Sequence, residues 1–66
     1  MTGKDVIKVL QDAGWQHTST RGSHYKMEKK GFRPVPVPVH ANKDLGIGLL
    51  KAIEKQTKVK LMGRGK

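Results

Sequence analysis

Apolar residues near the N-terminus recur at the spacing of a helix. They stand at positions i, i+3, i+4 and i+7, which places them on one helical stripe: Val6, Val9, Leu10 and Ala13. Thr2 and Asp5 match a weak capping box before this stripe, and Gly14 suits the position just beyond its end. The pattern predicts a first amphipathic helix over residues 4–13, with one face in a core.

The next two segments predict a hairpin. Residues 15–20 are rich in threonine and aromatic side chains, which favours a strand, and Arg21-Gly22 predicts a turn. Residues 23–29 alternate between apolar and polar positions, which predicts a second strand that ends in a turn at residues 29–31. On this second strand, Tyr25 and Met27 take one face, whereas the other face carries His24, Lys26 and Glu28.

Prolines and valines alternate from Pro34 to Val39. In a strand, the N–H groups of every second residue point to the same side, so the three prolines remove donors from one edge only. The valines between them keep their donors for pairing, and their side chains share one face. This pattern is typical of an edge strand whose outer edge cannot pair. A polyproline II segment without a hydrogen-bond ladder is the alternative.

A second helix is predicted to end at about Thr57. Asp44 is its candidate N-cap, and Leu45 and Leu50 flank its stripe, which consists of Leu49, Ala52, Ile53 and Gln56. Beyond Thr57 the chain is short, basic and contains glycine. We therefore expect residues 1–57 to form a single domain and residues 58–66 to form a basic, flexible tail.

The predicted order of elements is α-β-β-β-α, an α+β fold. Two helices packed on one face of a three-stranded antiparallel sheet would bury every apolar stripe. The sheet should contribute Trp15, Tyr25, Met27, Val35, Val37 and Val39 to that core. Its other face would be open to solvent and would carry His24, Lys26 and Glu28, with the prolines along its margin.

Composition narrows the range of functions. Fourteen Lys and Arg against five Asp and Glu give a net charge of +9. Such a charge indicates a polyanionic partner, because each cation placed on a phosphate releases counterions. Nucleic acid is favoured over an anionic membrane surface, because neither predicted helix combines a basic face with a Trp- or Phe-rich one. The chain has no cysteine and no apolar run that could span a membrane, so we expect a soluble cytoplasmic protein.

The histidines are the candidate groups for proton transfer near neutral pH. The acidic residues are scattered, and no spacing helps the three histidines to hold zinc, so we expect no metal and no cofactor. His24 follows a glycine turn, faces away from the predicted core and has Arg21 and Lys26 beside it. It would lie where a phosphate is held and could exchange a proton with a ribose 2′-hydroxyl or a leaving 5′-oxygen. On the residues alone, an exposed strand histidine without a function is the favoured interpretation, and a catalytic His24 is the alternative.

Several short motifs follow one another along the chain in an order that can be compared with known families. The most specific is Gly22-Ser23-His24; the others are Gly14-Trp15, the Val-Pro-Val strand ending near His40, Lys43-Asp44-Leu45, and Leu49-Leu50-Lys51-Ala52-Ile53. Over residues 2–57 the chain resembles the HicA-type mRNA interferases, the toxins of type II toxin–antitoxin pairs. The resemblance implies a fold similar to double-stranded RNA-binding domains and metal-independent cleavage of mRNA, with His24 as the catalytic acid or base. It also implies a HicB-type antitoxin partner, which would cover the face that carries His24.

The turn and the cations around this triplet are the candidates for binding RNA: Arg21, Gly22, Ser23, Lys26, Lys29, Lys30 and Arg33. His40 is a candidate auxiliary acid or base, or it simply ends its strand. Two other functions stay open. One is a non-catalytic RNA-binding module of the same fold, which recognises A-form shape. The other is an assembly protein whose basic face meets an acidic partner.

Overall fold

The computed structural model describes residues 1–61 and has the predicted order of elements. Two helices flank three strands: α1 (Gly3–Asp12), β1 (Gln16–Arg21), β2 (His24–Glu28), β3 (Val35–Pro38) and α2 (Ile47–Thr57). The strands form one antiparallel sheet in the order β1-β2-β3. The prediction of an α+β fold with the order α-β-β-β-α is confirmed.

Helix α1 begins with the predicted capping box. The Asp5 N–H donates to the Thr2 hydroxyl at 3.2 Å, and the Thr2 N–H donates to the Asp5 carboxylate at 2.9 Å. At the other end, Gly14 has a φ of 96°, in the left-handed region that glycine adopts without a steric penalty. The chain can therefore turn sharply out of α1 and enter β1.

The core lies between the two helices and one face of the sheet. It contains Val6, Leu10, Trp15, Met27, Val35, Val37, Leu50, Ile53 and Leu61. Tyr25 was predicted to belong to it, and the structure corrects this. Its ring is only half-buried and stacks on His17 of β1, with the centroids 4.7 Å apart. The aromatic pair therefore shares the inner face of the sheet with the core but lies outside the core cluster.

Strand β3 is the edge strand that the alternation of proline and valine predicted. Val35 pairs with Met27 and Val37 with Tyr25, and the Val39 N–H donates to the Ser23 carbonyl at 2.7 Å. Val35, Val37 and Val39 are all buried. The polyproline II alternative is therefore wrong, because the valines supply both the ladder and the inner face.

Helix α2 begins later than its predicted N-cap. Gly46 occupies the N-cap position without a side-chain hydrogen bond, whereas Asp44 forms an ion pair with the Met1 amine at 3.2 Å. The buried stripe is also rotated from the predicted one. Leu50 and Ile53 are buried, but Leu49 is 38% exposed. The physical reason is that residues 44 and 45 are tied to the chain start, where Leu45 N–H donates to the Met1 carbonyl at 2.8 Å.

The segment after α2 differs from the predicted flexible tail in its first residues. Lys58 ends the helix in a left-handed conformation, with a φ of 62°. Val59 then packs against the core, and Leu61 is only 2% exposed within it. The packed part of the chain therefore extends past the predicted boundary at residue 57. The rest of the predicted tail, residues 62–66, lies outside the described residues.

Candidate active site on the open sheet face

Strand β2 runs along the middle of the sheet and exposes two of the predicted site residues. His24 and Lys26 are both exposed on the open face. Met27 of the same strand lies on the opposite face, toward the helices, and is buried. His24 pairs with Arg21 on β1 and with Pro38 on β3. Directly paired residues project from the same face of a sheet. The open face therefore brings the histidine of the Gly-Ser-His triplet together with one of its predicted cations.

A β-bulge in β1 decides which side chains accompany His24. His17 pairs with Met27, but the next paired residue, Ser19, lies opposite Lys26, so Thr18 is the extra residue. A bulge of this kind reverses the alternation of the residues that follow it. Without it, Arg21 would share the face of the buried Trp15. With the bulge, Ser19 and Arg21 both lie on the face of His24.

The open face contains a cleft of about 400 Å³. Its lining consists of Ser19, Arg21, His24, Lys26, Pro34 and Pro36. One side of the cleft is supplied by β1 with the Arg21 guanidinium, and the other by the proline rings of β3. A phosphate held there could contact two cations and one imidazole, a combination suited to both charge stabilisation and proton transfer.

The loop between β1 and β2 connects this cleft with a second histidine. Gly22 has a φ of 59°, and no atom lies within 4 Å of the position that a Cβ would occupy there. Glycine is therefore favoured by its backbone conformation and not by lack of space. The next residue, Ser23, places its hydroxyl 3.5 Å from Nε2 of His40. His40 thus lies beside the triplet although it is distant in sequence.

The other predicted phosphate ligands are not among the residues that line this cleft. Lys29 donates to the Ala13 carbonyl at 2.8 Å, and its ammonium lies 5.7 Å from the centroid of the Phe32 ring. A cation is favourable at a helix C-terminus, so Lys29 stabilises the end of α1. Lys30 lines another cavity beside Gly14, and Arg33 lines one between the β2–β3 turn and α2, so none of these three cations lines the cleft with Arg21 and Lys26.

The three histidines do not converge. His17 pairs with the buried Met27 and so lies on the inner face, where its Nε2 is 2.6 Å from the Thr20 hydroxyl. His24 projects from the opposite face. Within residues 1–61, no three His, Asp or Glu side chains come together as metal ligands would. Over the same residues, neither helix is long and apolar enough to cross a membrane.

Sequence reasoning did not identify three residues that line the cleft. Ser19 was missed because only the register of the hairpin shows the bulge that turns it outward. Pro34 and Pro36 were interpreted only as residues that remove N–H donors from the outer edge of the sheet. Their rings were not considered as part of a site. The alternation itself was the available signal, because it places every proline ring on the face of His24.

One known protein family matches most of the chain. The family described as the HicA toxin of bacterial toxin–antitoxin systems matches residues 3–59, which include the Gly-Ser-His triplet, His40 and both helices. No curated protein matches the chain.

Proposed function

Because the chain belongs to the HicA toxin family of bacterial toxin–antitoxin systems, we propose that it is an endoribonuclease in which His24 transfers a proton at the scissile phosphate. The observation that carries this proposal is the cleft on the open sheet face, which the exposed residues His24, Arg21 and Lys26 line together. Family membership makes the chain a toxin with an antitoxin partner. The cleavage of RNA and the role of His24 are our proposal.

The proposed reaction uses the ribose of the substrate as its nucleophile. A base removes the proton from the 2′-hydroxyl, and the 2′-oxygen attacks the neighbouring phosphorus. The bond from phosphorus to the 5′-oxygen breaks, and an acid gives that oxygen a proton, which leaves a 2′,3′-cyclic phosphate and a 5′-hydroxyl. His24 serves as one of these two groups. Arg21 and Lys26 stabilise the negative charge that develops on the phosphate oxygens. No metal is needed for any step.

His40 is our candidate for the second proton-transfer group. Its Nε2 lies 3.5 Å from the Ser23 hydroxyl, and Ser23 directly precedes His24. The hydroxyl can relay a proton or orient the imidazole, because it both donates and accepts hydrogen bonds. A change at His40 should therefore lower the rate of cleavage but by less than a change at His24.

The proposed substrate and partner follow from the charge of the open face. A chain with a net charge of +9 attracts the phosphates of mRNA. The proposed antitoxin is of the HicB type and inhibits by covering the cleft with an acidic surface, since that surface would replace the RNA phosphates at Arg21 and Lys26. Both partners place the activity in the cytoplasm.

The first prediction tests His24 by substitution. His24→Ala should change the free energy of unfolding by no more than about 0.5 kcal/mol, because the side chain is exposed on the sheet. The same change should slow RNA cleavage by roughly 10²–10⁴-fold, because a proton-transfer group is lost. Cleavage in EDTA and thermal unfolding measure the two effects.

The matched control is His17→Ala, which removes the same type of exposed side chain from the opposite face. It should leave the cleavage rate within about twofold of wild type, since its imidazole is remote from the proposed chemistry. A folded His24→Ala protein that cuts at the wild-type rate would contradict the proposal. A wild-type protein that binds RNA and never cuts it would favour the non-catalytic RNA-binding module.

A further inference from the structure

The proline rings of β3 form one side of the cleft that contains His24. Pro36 pairs with Lys26, so its ring projects from the same face, and Pro34 continues the row at the next outward position. Both prolines are exposed, whereas Val35 between them is buried. The cleft therefore has a cationic side on β1 and β2 and an apolar side on β3.

This apolar side is rigid before any ligand arrives. A proline ring has no side-chain torsions to restrict, so packing a ligand against it costs almost no conformational entropy. The strand beneath the rings is held by the pairing of Val35 and Val37 with β2. A flat apolar group can thus be held next to His24 without any rearrangement of the protein.

The size and chemistry of the cleft suit one nucleotide. About 400 Å³ lies at the lower end of the range for pockets that hold a single small organic molecule. A nucleotide is such a molecule with an anionic end and a flat apolar end, which match the two sides of the cleft. A base within a duplex is stacked on its neighbours. The protein can then reach only the edges of the base and the phosphates of the backbone. An apolar side next to a phosphate site is therefore useful only for an unstacked base.

We propose that Pro34 and Pro36 bind the face of one unpaired nucleobase next to the scissile phosphate, so that the substrate of this site is single-stranded RNA. This inference rests on the proposed function for the position of the phosphate. It assigns the two prolines as substrate-positioning residues. The base packs on the rings while its phosphate lies at Arg21 and Lys26, which holds the scissile phosphate next to His24.

A binding experiment on the wild-type protein tests the base site without cleavage. The probe is a short single-stranded RNA in which every 2′-oxygen is methylated, which removes the nucleophile at every position. On addition of this RNA, the NMR signals of the Pro34 and Pro36 ring protons should shift. The same oligonucleotide annealed to its complement should bind at least about 10-fold more weakly at this site, because its bases stay stacked.

Two substitutions at the same position separate the apolar surface from the fold. Pro36→Ser removes the apolar ring and should lower kcat/KM on single-stranded RNA about 5- to 10-fold, near the lower end of what stacking of a base contributes. Pro36→Val keeps an apolar side chain at this exposed edge position without the ring, so it should restore kcat/KM above the value of Pro36→Ser but not to the wild-type value. Thermal unfolding is measured for both variants.

The outcomes distinguish this inference from the proposed function. Unshifted proline signals, equal binding of the duplex, or a folded Pro36→Ser protein with wild-type kcat/KM would each overturn the base site. If one of these results occurs and His24→Ala is inactive in the same assays, the base site falls while the proposed function stands. If His24→Ala still cuts but the proline signals shift with the single strand alone, the base site stands and the role of His24 falls. The NMR measurement needs no variant, so it decides the matter even if Pro36→Ser does not fold.

Discussion

Gly3 lies where the first turn of α1 meets the end of β3. A Cβ at this position would collide with the Pro38 carbonyl oxygen and would come within 2.8 Å of the Val39 Cα. Both are backbone atoms of the strand that carries the proline row, so they cannot move aside as a flexible side chain would. The close approach of this helix to the sheet therefore depends on a residue without a side chain.

The second prediction follows from this contact. Gly3→Ala should lower the free energy of unfolding by about 1–3 kcal/mol, the usual cost of overpacking. This cost exceeds the gain of up to ~1 kcal/mol in helix propensity. Gly48→Ala is the control, because Gly48 lies in the first turn of α2 with open space around it and should be neutral or stabilising. Chemical denaturation of both variants measures the difference, and a stabilised Gly3→Ala protein would contradict the prediction.

The third prediction concerns the pH dependence of the α1 capping box. Hydrogen bonds from the Thr2 backbone and then the Thr2 side chain lower the pKa of Asp5 from its ordinary value of 3.8. The Met1 amine lowers the pKa further by a smaller amount. Because the pKa is lower in the folded state, the ionised carboxylate stabilises the fold above pH 3.8, and this contribution is lost as the pH falls through the folded pKa.

Urea denaturation between neutral pH and about pH 2.5 measures this effect. Asp5→Asn should be less stable than wild type at neutral pH, and the difference should shrink below pH 3.8. A stability difference between wild type and Asp5→Asn that is the same at every pH would rule out the role of the ionised carboxylate.

At the scale of elements, β3 combines two tasks that follow from its alternation. Its valines form the ladder to β2 and face the core, whereas its prolines present rings to the open face and no N–H to the outer edge. An edge without donors does not pair readily with a further strand. The strand beside the proposed active site therefore stays at the edge of the sheet and leaves the cleft accessible.

The fourth prediction tests this pairing by amide exchange. The amides of Val35, Val37 and Val39 should exchange slowly, because Val35 and Val37 pair with β2 and the Val39 N–H donates to the Ser23 carbonyl. The amides of Gly22 and Gly31, both in turns, should exchange rapidly and serve as the reference. Exchange at the three valines as fast as at the two glycines would contradict the paired strand.

At the scale of the whole molecule, the lysines and arginines among the described residues 1–61 are spread over both helices and the sheet, and two of them, Arg21 and Lys26, line the cleft. Lys29 is engaged at the end of α1, and other lysines such as Lys51 are exposed on α2. If the chain acts on RNA as proposed, the general attraction comes from the whole described surface, whereas Arg21 and Lys26 determine where the phosphate is held. These two contributions can be measured separately.

The fifth prediction is a steep dependence of RNA affinity on salt. Affinity for single-stranded RNA should fall strongly between about 50 and 200 mM salt, because each neutralised phosphate releases counterions. Lys26→Ala should reduce the slope of log K against log salt concentration by about 0.7. Lys51→Ala removes the same charge from α2, outside the cleft, and should change the slope by clearly less. An affinity that hardly responds to salt, or equal slopes for both variants, would contradict this division of the charge.

Local patterns in the sequence were sufficient to predict much of the fold of this protein. The stripe of Val6 and Leu10, the capping box at Thr2 and Asp5 and the alternation from Pro34 to Val39 predicted α1, β3 and the α+β architecture. These features depend on neighbouring residues, whose spacing can be read directly along the chain. The same holds for the exposure of His24, which follows a glycine turn and alternates with the buried Met27.

Other features depend on contacts between distant parts of the chain, so only the tertiary structure decided them. The bulge at Thr18 turns Arg21 toward His24, and it is visible only in the register between β1 and β2. The Ser23–His40 contact joins residues 17 positions apart. Asp44 pairs with the chain start instead of capping α2, and Leu61 fills the core beyond the predicted domain boundary. Each of these features depends on burial or on a contact with a residue that is distant in the sequence. The pattern of neighbouring residues therefore does not show it.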